Sequence, residues 1–320
     1  MKPLRIFLAI LLALSLFVSC SKDDTGNPDD PGTPTNEQWF LTKRARVNNS
    51  DHKSGVFWYY YYDSQNRISK EVFIEPNGND SKEKSFFYNN DGSLDMVTIS
   101  SDWYSTVDHQ KYVYKNNQLS AYITYDDMNK YSDTLYLFYN ADGSIKKTVD
   151  YELAVDEEMA GRDFIYIINT YLYTLDAKKR IVMIEGIWER LYPHTIRKDT
   201  LKFSYSDNNN LILRTSRYDK DEYQYDTKPN YTATIHYPKE YLFIKSLSFS
   251  PNSEELATNN ITMHKHIKND GTSYIDVWDY PEYATSGFPL VRTTPYSRLE
   301  FTYSTNQEQI TDATKIKEIK

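Results

Sequence analysis

Cysteine is almost absent from this chain, since Cys20 is the single one among 320 residues. One thiol cannot close a disulfide within the chain or build a cysteine-based zinc site. Glycine is also sparse, at ten residues, and the sequence has no glycine-rich phosphate loop, no Gly-x-Ser-x-Gly elbow and no His-Glu-x-x-His motif. Stability therefore has to come from a packed core, and no motif assigns a catalytic residue or a cofactor.

Positive charge is in the minority. Lys and Arg total 37 against 45 for Asp and Glu, so the formal net charge is −8. An acidic surface repels phosphate backbones and anionic headgroups. We therefore expect neither nucleic acid nor anionic lipid as the main partner.

A long apolar run occurs at the N-terminus, where residues 6–18 follow two basic residues. Thirteen residues are too few to span a bilayer comfortably, but they suit a signal peptide. The run stops just before Cys20 in a segment that resembles a bacterial lipobox, with Phe17 in place of the usual leucine. We predict a lipoprotein signal peptide at 1–19 and lipidation of Cys20; an ordinary secretory signal with a chance cysteine is the alternative.

Residues 21–38 contain no apolar side chain and are rich in Asp, Pro, Thr, Asn and Gly. Such a segment cannot bury enough surface to offset the entropy of ordering it. We predict a lipidated cysteine and disordered linker at 20–38, a barrel domain at 39–305 and a tail at 306–320. The Lys-Asp-Asp run at 22–24 resembles the export signal of Bacteroidetes surface lipoproteins, which implies a lipid-anchored place in the outer membrane. The periplasmic and the outward-facing leaflet both stay open.

Tyrosine is the residue in excess, with thirty copies, and aromatic residues make up 15% of the chain. One pattern recurs six times: an aromatic residue (once leucine), any residue, tyrosine, a short polar turn, then an aliphatic residue. Its second tyrosines are Tyr62, Tyr88, Tyr114, Tyr139, Tyr173 and Tyr205, in steps of 26, 26, 25, 34 and 32 residues. A recurring period decides the architecture before any local prediction does. Tyrosine favours strands, and Asn, Asp and Gly favour hairpin turns.

Six repeats of strand, turn, strand and longer loop predict twelve strands. Further strands are predicted at 231–237, 261–267, 274–278 and 299–303, and helical turns at 156–160 and 252–257. We predict an all-β, antiparallel up-and-down meander of about 14–16 strands, built from β-hairpin repeats and closed into a soluble, porin-like barrel, because closure removes exposed edges. A long twisted single-layer sheet is the alternative; a propeller needs four strands per period, which 26 residues cannot supply.

The repeats resemble the tyrosine-aspartate repeats of Rhs-type shell proteins. The chain is still more similar to a family of Bacteroidetes surface lipoproteins of unknown function with a porin-like fold. The matching segments are Tyr-Asn-Asn-Asp-Gly-Ser-Leu at 88–94, Tyr-Asn-Ala-Asp-Gly-Ser-Ile at 139–145, and 225–230, 259–262 and 287–290. The resemblance covers roughly 40–305 and implies a barrel in the cell envelope, and it brings no catalytic residues.

A porin-like barrel need not lie in a membrane. A membrane barrel presents an outward apolar band and a polar lumen. The strand at 111–115, Lys-Tyr-Val-Tyr-Lys, instead carries lysines on one face and tyrosines on the other, so neither face is wholly apolar. We therefore expect a barrel that stays in water on a lipid tether.

The longer loops are predicted at the end opposite the repeat turns, at 75–82, 100–110, 126–133, 152–163 and 188–199. Binding residues concentrate on loops that a rigid scaffold holds. The aromatic residues predicted there as a ligand-binding set are Trp103, Tyr104, Trp188 and Tyr192. Aromatic rings stack on sugars, so we expect a non-catalytic, glycan-binding module. The alternative is a structural or adhesin-like protein that binds another envelope protein.

Other polar patterns are weaker. His264 and His266 lie on one strand face, but the sequence shows no carboxylate beside them, so we predict an exposed face rather than a metal site. The Asn- and Asp-rich turns lack the spaced oxygens and closing glutamate of a calcium loop. Acid pairs such as 157–158 are adjacent in sequence, whereas glycosidase carboxylates are set by separation in space. A hydrolase is therefore the least favoured class.

Overall fold

A computed structural model describes residues 38–48, 55–76, 81–102, 104–127, 132–154, 165–191, 194–247, 256–295 and 297–305. The first strands are β1 Phe40–Asn48, β2 Gly55–Tyr62, β3 Ile68–Ile74, β4 Ser81–Tyr88, β5 Leu94–Ser101, β6 Tyr104–Lys115, β7 Gln118–Asp126, β8 Ser132–Tyr139, β9 Ile145–Ala154 and β10 Ile165–Leu175. They are followed by β11 Ile181–Arg190, β12 Thr195–Tyr205, β13 Leu211–Thr215, β14 Asp219–Pro229, β15 Asn259–Lys268, β16 Ser273–Val277, β17 Asp279–Tyr283, β18 Pro289–Thr293 and β19 Ser297–Ser304.

The strands form one antiparallel meander in chain order, and β1 pairs with both β2 and β19. The sheet therefore closes on itself almost completely. β16 and β17 are separated by the single residue Trp278, whose N–H donates to the carbonyl of Thr262 on β15. The predicted all-β, antiparallel barrel is confirmed.

The described residues contain 19 strands, against the predicted 14–16. The six repeats supply β2 to β13, and three of the four later predictions fall in β15, β16 and β19. The sequence reading missed β1, β14, β17 and β18. In β14 the pattern is present as Tyr223-Gln-Tyr225, but no short turn follows it.

The repeat tyrosines hold neighbouring strands together. Five of the six, together with Tyr225 and Tyr303, donate through their hydroxyls to a backbone carbonyl near the start of the preceding strand, at 2.5–2.9 Å. These pairs are Tyr62 to Leu41, Tyr88 to Ile68, Tyr114 to Leu94, Tyr139 to Leu119, Tyr205 to Ile181, Tyr225 to Leu211 and Tyr303 to Pro289. The aliphatic residue that opens one strand and the tyrosine that closes the next thus meet across the ladder, which explains why both recur at one period. The Tyr173 hydroxyl instead donates to the carbonyl of Leu247 at 3.1 Å.

The repeat turns need a left-handed residue, and the chain supplies it in two ways. Gly92 and Gly143 adopt φ of +86° and +78° in the second and fourth repeats. Asn66 and Lys179 take φ of 62° and 61° in the first and fifth repeats, which have no glycine there. Glycine and asparagine accept this conformation most readily, so the first turn forms as its sequence predicted.

The connection between β14 and β15 leaves the sheet and enters the barrel. A 3-10 helix, Tyr231–Thr234, is followed by the helix α1, Lys239–Ser246. The strand predicted at 231–237 was therefore wrong. Its alternating pattern suits a strand, but the Asn230 side chain accepts from the N–H of Thr232 and caps a helical turn instead. Neither α1 nor any other helix in the described part of the chain is long and apolar enough to cross a membrane.

This segment, residues 230–247, is called the plug. Its apolar side chains share the barrel core with inward residues of the wall; the members from the plug are Tyr231, Ile235, Tyr241 and Leu247, and those from the wall include Phe40, Tyr62, Phe86 and Tyr112. The Tyr62 hydroxyl also donates to the carbonyl of Thr234. The plug therefore packs inside the end of the barrel that carries the repeat turns, called the repeat-turn end.

A polar contact fixes α1 to the wall. The Nζ of Lys84 lies 3.2 Å from both the Glu71 carboxylate and the Tyr241 hydroxyl. Burial alone lowers the pKa of a lysine, but the Glu71 charge and the Tyr241 hydroxyl outweigh burial and raise the pKa of Lys84. The Tyr237 hydroxyl donates to the same Glu71 carboxylate. Lys84 therefore stays charged inside the barrel, where its contacts with Glu71 of the wall and Tyr241 of the plug join the two.

The opposite end of the barrel, where β2 begins and β3 ends, is called the loop end. Two of the long loops predicted there are shorter than expected, because β6 begins at Tyr104 and β12 at Thr195. Residues 104–110 and 195–199 are therefore strand rather than loop. Phe40 pairs with Ser304, so the described chain both begins and ends at the repeat-turn end.

Candidate functional site

Two of the four predicted ligand-binding aromatic residues lie in the described part of the chain, and both are in strands. Trp188 lies within β11, Ile181–Arg190, which corrects its predicted place on a loop. Tyr104 opens β6, while Trp103, Tyr192 and Cys20 lie outside the described residues. Of the predicted set, Trp188 is the one whose surroundings can be followed.

The inward side chains of β9 to β12 form cross-strand rows whose chemistry changes along the barrel. From the core toward the loop end, the rows are Tyr173, Ile184 and Leu201; then Thr148, Tyr171, Gly186 and Asp199; then Asp150, Asn169, Trp188 and Arg197. Successive rows are two residues apart, about 7 Å along the strands. The interior thus passes from an apolar core to a polar wall that holds one indole ring.

Gly186 makes room for the ring of Trp188. A Cβ placed on Gly186 would lie 2.5 Å from Cη2 of Trp188, which is closer than any carbon contact allows. The benzene end of the indole therefore occupies the space that a side chain at 186 would take. The ring of Tyr171 meets the indole edge-on, with centroids 6.0 Å apart and planes at 89°.

Arg197 is held beside the indole by aromatic neighbours. Its guanidinium lies 5.8 Å from the ring centres of both Trp188 and Tyr218. Its Nη2 donates to the Tyr218 hydroxyl at 2.9 Å. Among the described residues Arg197 makes no ion pair, and its side chain is exposed. A charge in this position is available to a ligand.

Two buried polar side chains face the same region. Asn169 is 6% exposed; its Nδ2 approaches Oδ2 of Asp150 at 3.5 Å, while its Oδ1 accepts no hydrogen bond within the described part of the chain. Asp199 is also buried, and its Oδ1 accepts from the N–H of Thr200. Burying an acceptor without a donor costs about 1–3 kcal/mol. A ligand that donates a hydrogen bond to Oδ1 of Asn169 would recover this free energy.

A charged cluster adjoins these rows on β13 to β15. Arg214 contacts Asp219 and Asp221, and Oδ1 of Asp221 lies 2.9 Å from Nε2 of His264 and 2.8 Å from Nδ1 of His266. Burial raises the pKa of Asp221, but hydrogen bonds from both histidines and the Arg214 charge outweigh it and lower the pKa to about 2.

This cluster corrects the sequence reading of the two histidines. A carboxylate does lie beside them, but it comes from the neighbouring strand, so its proximity depends on strand register. His264 stacks on Tyr223 and His266 on Tyr274, with ring centres 4.8 and 4.9 Å apart. Within the described ranges, no group of three or more His, Cys, Asp or Glu side chains is arranged to hold a metal ion.

Asn169, Trp188 and Arg197 border a cleft of about 740 Å³, called the Trp188 cleft. Its lining consists of Ile167, Asn169, Tyr171, Trp188, Arg190, Thr195, Ile196, Arg197, Asp199, Arg214, Ser216, Tyr218 and Asp219. The volume is typical of small-molecule sites. The lining combines aromatic surface with donors and acceptors of both charges.

Most of these lining residues were missed by the sequence reading, although a signal existed. Arg197 and Asp199 share the strand phase of Leu201 and Phe203, which are core residues. Charged residues on the core phase of a strand indicate a polar lumen rather than a solvated face. The same alternation places Trp188 on the inward face of β11.

Comparison with known proteins gives no assignment. No family model matches the chain, and no curated protein matches it. Among solved structures, a porin-like protein from Bacteroides uniformis is 13% identical, with a TM-score of 0.38 over 86% of this chain and 99% of that one. The TcdB2–TccC3–Cdc42 complex is 13% identical, with a TM-score of 0.35 over 78% of this chain and 13% of that one. At these scores the likenesses carry no argument, and the family resemblance of the repeats stays a prediction.

Proposed function

We propose that this chain is a lipid-anchored, non-catalytic saccharide-binding protein of the bacterial cell envelope, and that the Trp188 cleft is its binding site. The observation that carries the proposal is the indole of Trp188, which Gly186 accommodates inside a concave, polar-lined cleft. The apolar face of a sugar ring packs on an aromatic ring, while its hydroxyls bond to polar side chains around the rim.

Hydrogen-bonding groups surround the indole on both neighbouring strands. Asn169 is opposite Trp188 on β10, and Arg197 is opposite it on β12. A sugar hydroxyl donates to Oδ1 of Asn169 and accepts from Arg197, so one ligand type serves both. Ligands that are wholly apolar would leave the buried amide oxygen without a donor.

The position of the cleft suits a tethered receptor. The chain enters the barrel at Phe40, at the repeat-turn end, whereas the cleft lies toward the loop end. The plug packs in the repeat-turn end, between that end and the cleft, so the proposed route of the ligand is the loop end.

The outward face of the wall supports a barrel in water. Lys70 and Glu83 form an outward ion pair at 2.8 Å, and Lys111 and Asp95 another at 2.6 Å. A lipid-facing band has to be apolar, and charges there are costly. These pairs favour a solvated wall, in keeping with the sequence-based expectation.

A second candidate function is adhesin-like binding of another envelope protein. Tyr136 and Tyr151 on the outward face of β8 and β9 are 42% and 47% exposed, and their rings meet edge-on at 5.8 Å. Phe138 beside them is 42% exposed. Exposed aromatic groups of this kind occur at protein interfaces. This face and the Trp188 cleft can be tested separately.

The test is calorimetric titration of the full chain, purified in detergent, with a panel of neutral and acidic oligosaccharides. We expect saturable binding that falls at least about tenfold in Trp188→Ala and is unchanged in Tyr136→Ala, a matched aromatic truncation outside the cleft. Binding that survives Trp188→Ala, or no binding across the panel, contradicts the proposal. Incorporation of labelled palmitate that is lost in Cys20→Ser tests the anchor independently.

A further inference from the structure

We propose that the saccharide taken by the Trp188 cleft is acidic, and that Arg197 binds its carboxylate; this inference rests on the proposed function of the cleft. Arg197 is a cation near the mouth of the cleft, in a chain whose formal net charge is −8. Its described contacts are aromatic rings and one phenol rather than an acid. The cleft thus offers an exposed positive charge in a chain whose net charge is negative.

The charges that line the cleft do not neutralise Arg197. Asp219 in the lining, and Asp221 outside it, both contact Arg214 rather than Arg197. Asp199 is buried one row deeper and accepts from the N–H of Thr200. Arg197 therefore remains the exposed cation beside the indole, and an anionic ligand group completes its pairing.

The guanidinium is held in place with most of its donors unused. A guanidinium carries five N–H donors in a fixed plane, and among the described residues Arg197 uses one of them, to Tyr218. The rings of Trp188 and Tyr218, each 5.8 Å away, restrict its orientation. A planar fork of this kind matches a carboxylate through two parallel hydrogen bonds.

The rest of the cleft selects against a simple inorganic anion. The buried Oδ1 of Asn169 needs a donor, and it repels a bare anion. The indole of Trp188 offers an apolar surface, which an inorganic phosphate cannot use. One molecule that meets all three groups carries an apolar ring face, hydroxyl donors and a carboxylate, which is the chemistry of a uronic acid residue in a saccharide.

The experiment compares matched acidic and neutral probes on the full chain by titration calorimetry. The acidic probes are oligosaccharides from polygalacturonate, polymannuronate and polyglucuronate. Each neutral probe is the same oligosaccharide with its carboxylates reduced to hydroxymethyl groups. We expect at least one acidic probe to bind about tenfold or more tightly than its neutral partner. The advantage should shrink as salt rises from about 0.05 to about 0.5 M.

Variants locate the effect. Arg197→Gln should remove the preference for the acidic probe, while Lys198→Gln, the adjacent exposed cation on the outward phase of β12, should keep it. Arg197→Lys retains the charge without the fork and should keep part of the preference. It also shows whether a loss in Arg197→Gln reflects charge rather than folding.

The outcomes separate the two proposals. Equal or tighter binding of every neutral partner overturns the acidic ligand and leaves the saccharide function standing. An acidic preference that persists in Arg197→Gln overturns the role of Arg197. No binding of any acidic or neutral probe counts against both proposals.

Discussion

Cη2 of the Trp188 indole lies within 2.5 Å of the point where a Cβ on Gly186 would stand. The two residues share the inward face of β11, so the absent side chain at 186 sets the position of the ring at 188. Glycine at the interior of a strand is otherwise unfavourable, since it packs nothing and costs backbone entropy. At this position the cleft requires it.

Gly186→Ala should therefore displace the indole and weaken saccharide binding by roughly tenfold, about 1.4 kcal/mol. Titration calorimetry measures the affinity, and tryptophan fluorescence reports the displaced ring. Glu185→Ala, one residue earlier and outward, is the control and should leave the affinity unchanged. Wild-type affinity in Gly186→Ala would show that the ring position does not matter.

The hydrogen bond from the Tyr88 hydroxyl to the Ile68 carbonyl, at 2.7 Å, predicts the contribution of a repeat tyrosine to stability. Tyr88→Phe removes the donor and leaves a partly buried carbonyl, so the free energy of unfolding should fall by about 1 kcal/mol. Denaturant unfolding measures this change. Tyr61→Phe, on the outward face of β2, should change stability far less. Equal losses of stability in the two variants would show that the hydrogen bond from Tyr88 to Ile68 does not stabilise the barrel.

The tyrosines also predict a loss of stability at high pH. Burial raises the pKa of Tyr139 and Tyr205 from 10.0 to about 12. Above pH 10 the unfolded chain releases these phenolic protons while the folded chain keeps them, so stability falls as pH rises toward 12. Phenolate absorbance should appear together with unfolding, as followed by circular dichroism. Full tyrosine ionisation in the folded barrel would contradict the buried ladder.

Asp221 predicts a second pH dependence, in acid. Its pKa of about 2 lies below the ordinary aspartate value of 3.8. The stability it contributes is therefore complete above pH 4 and is lost as pH falls toward 2. Asp221→Asn should lower the free energy of unfolding at neutral pH by about 2–3 kcal/mol, because Arg214 and both histidines lose the buried negative charge and one of the two acceptor oxygens. Denaturant unfolding across this range measures both effects.

The control for Asp221 is Asp207→Asn, an exposed turn carboxylate. It should reproduce the wild-type profile between pH 4 and pH 2, whereas the profile of Asp221→Asn should be flatter there. A wild-type acid profile in Asp221→Asn would place the acid-sensitive group elsewhere.

The wall of the barrel could be predicted from the sequence because its repeats contain turn residues and a tyrosine that determine their hairpins locally. Asn66 and Gly92 adopt the positive φ that their turns need, and Tyr88 closes its strand against Ile68. The plug could not be predicted in this way. Residues 231–237 alternate as a strand does, and burial of Tyr231 against Phe301, with ring centres 4.7 Å apart, decides their fold instead.

Of the residues that line the Trp188 cleft, the sequence analysis singled out Trp188 alone. Trp188 stood out as an aromatic residue, but its position inside a strand depended on where β11 ends. The proximity of Asn169 and Arg197 to it depends on register across three strands, which turns and bulges set. Asp221 and His264 meet for the same reason across β14 and β15. No spacing along the sequence encodes such meetings.

The central claim, that the Trp188 cleft binds a saccharide, is tested most directly by fluorine NMR on the full chain labelled with fluorotryptophan. The chain has five tryptophans, and Trp188→Phe assigns the signal of interest. Titration with a bound oligosaccharide should shift the Trp188 resonance saturably, while those of Trp39 and Trp58 stay fixed. A saccharide that binds without moving the Trp188 resonance, or moves only another tryptophan, would place the site elsewhere and contradict the account.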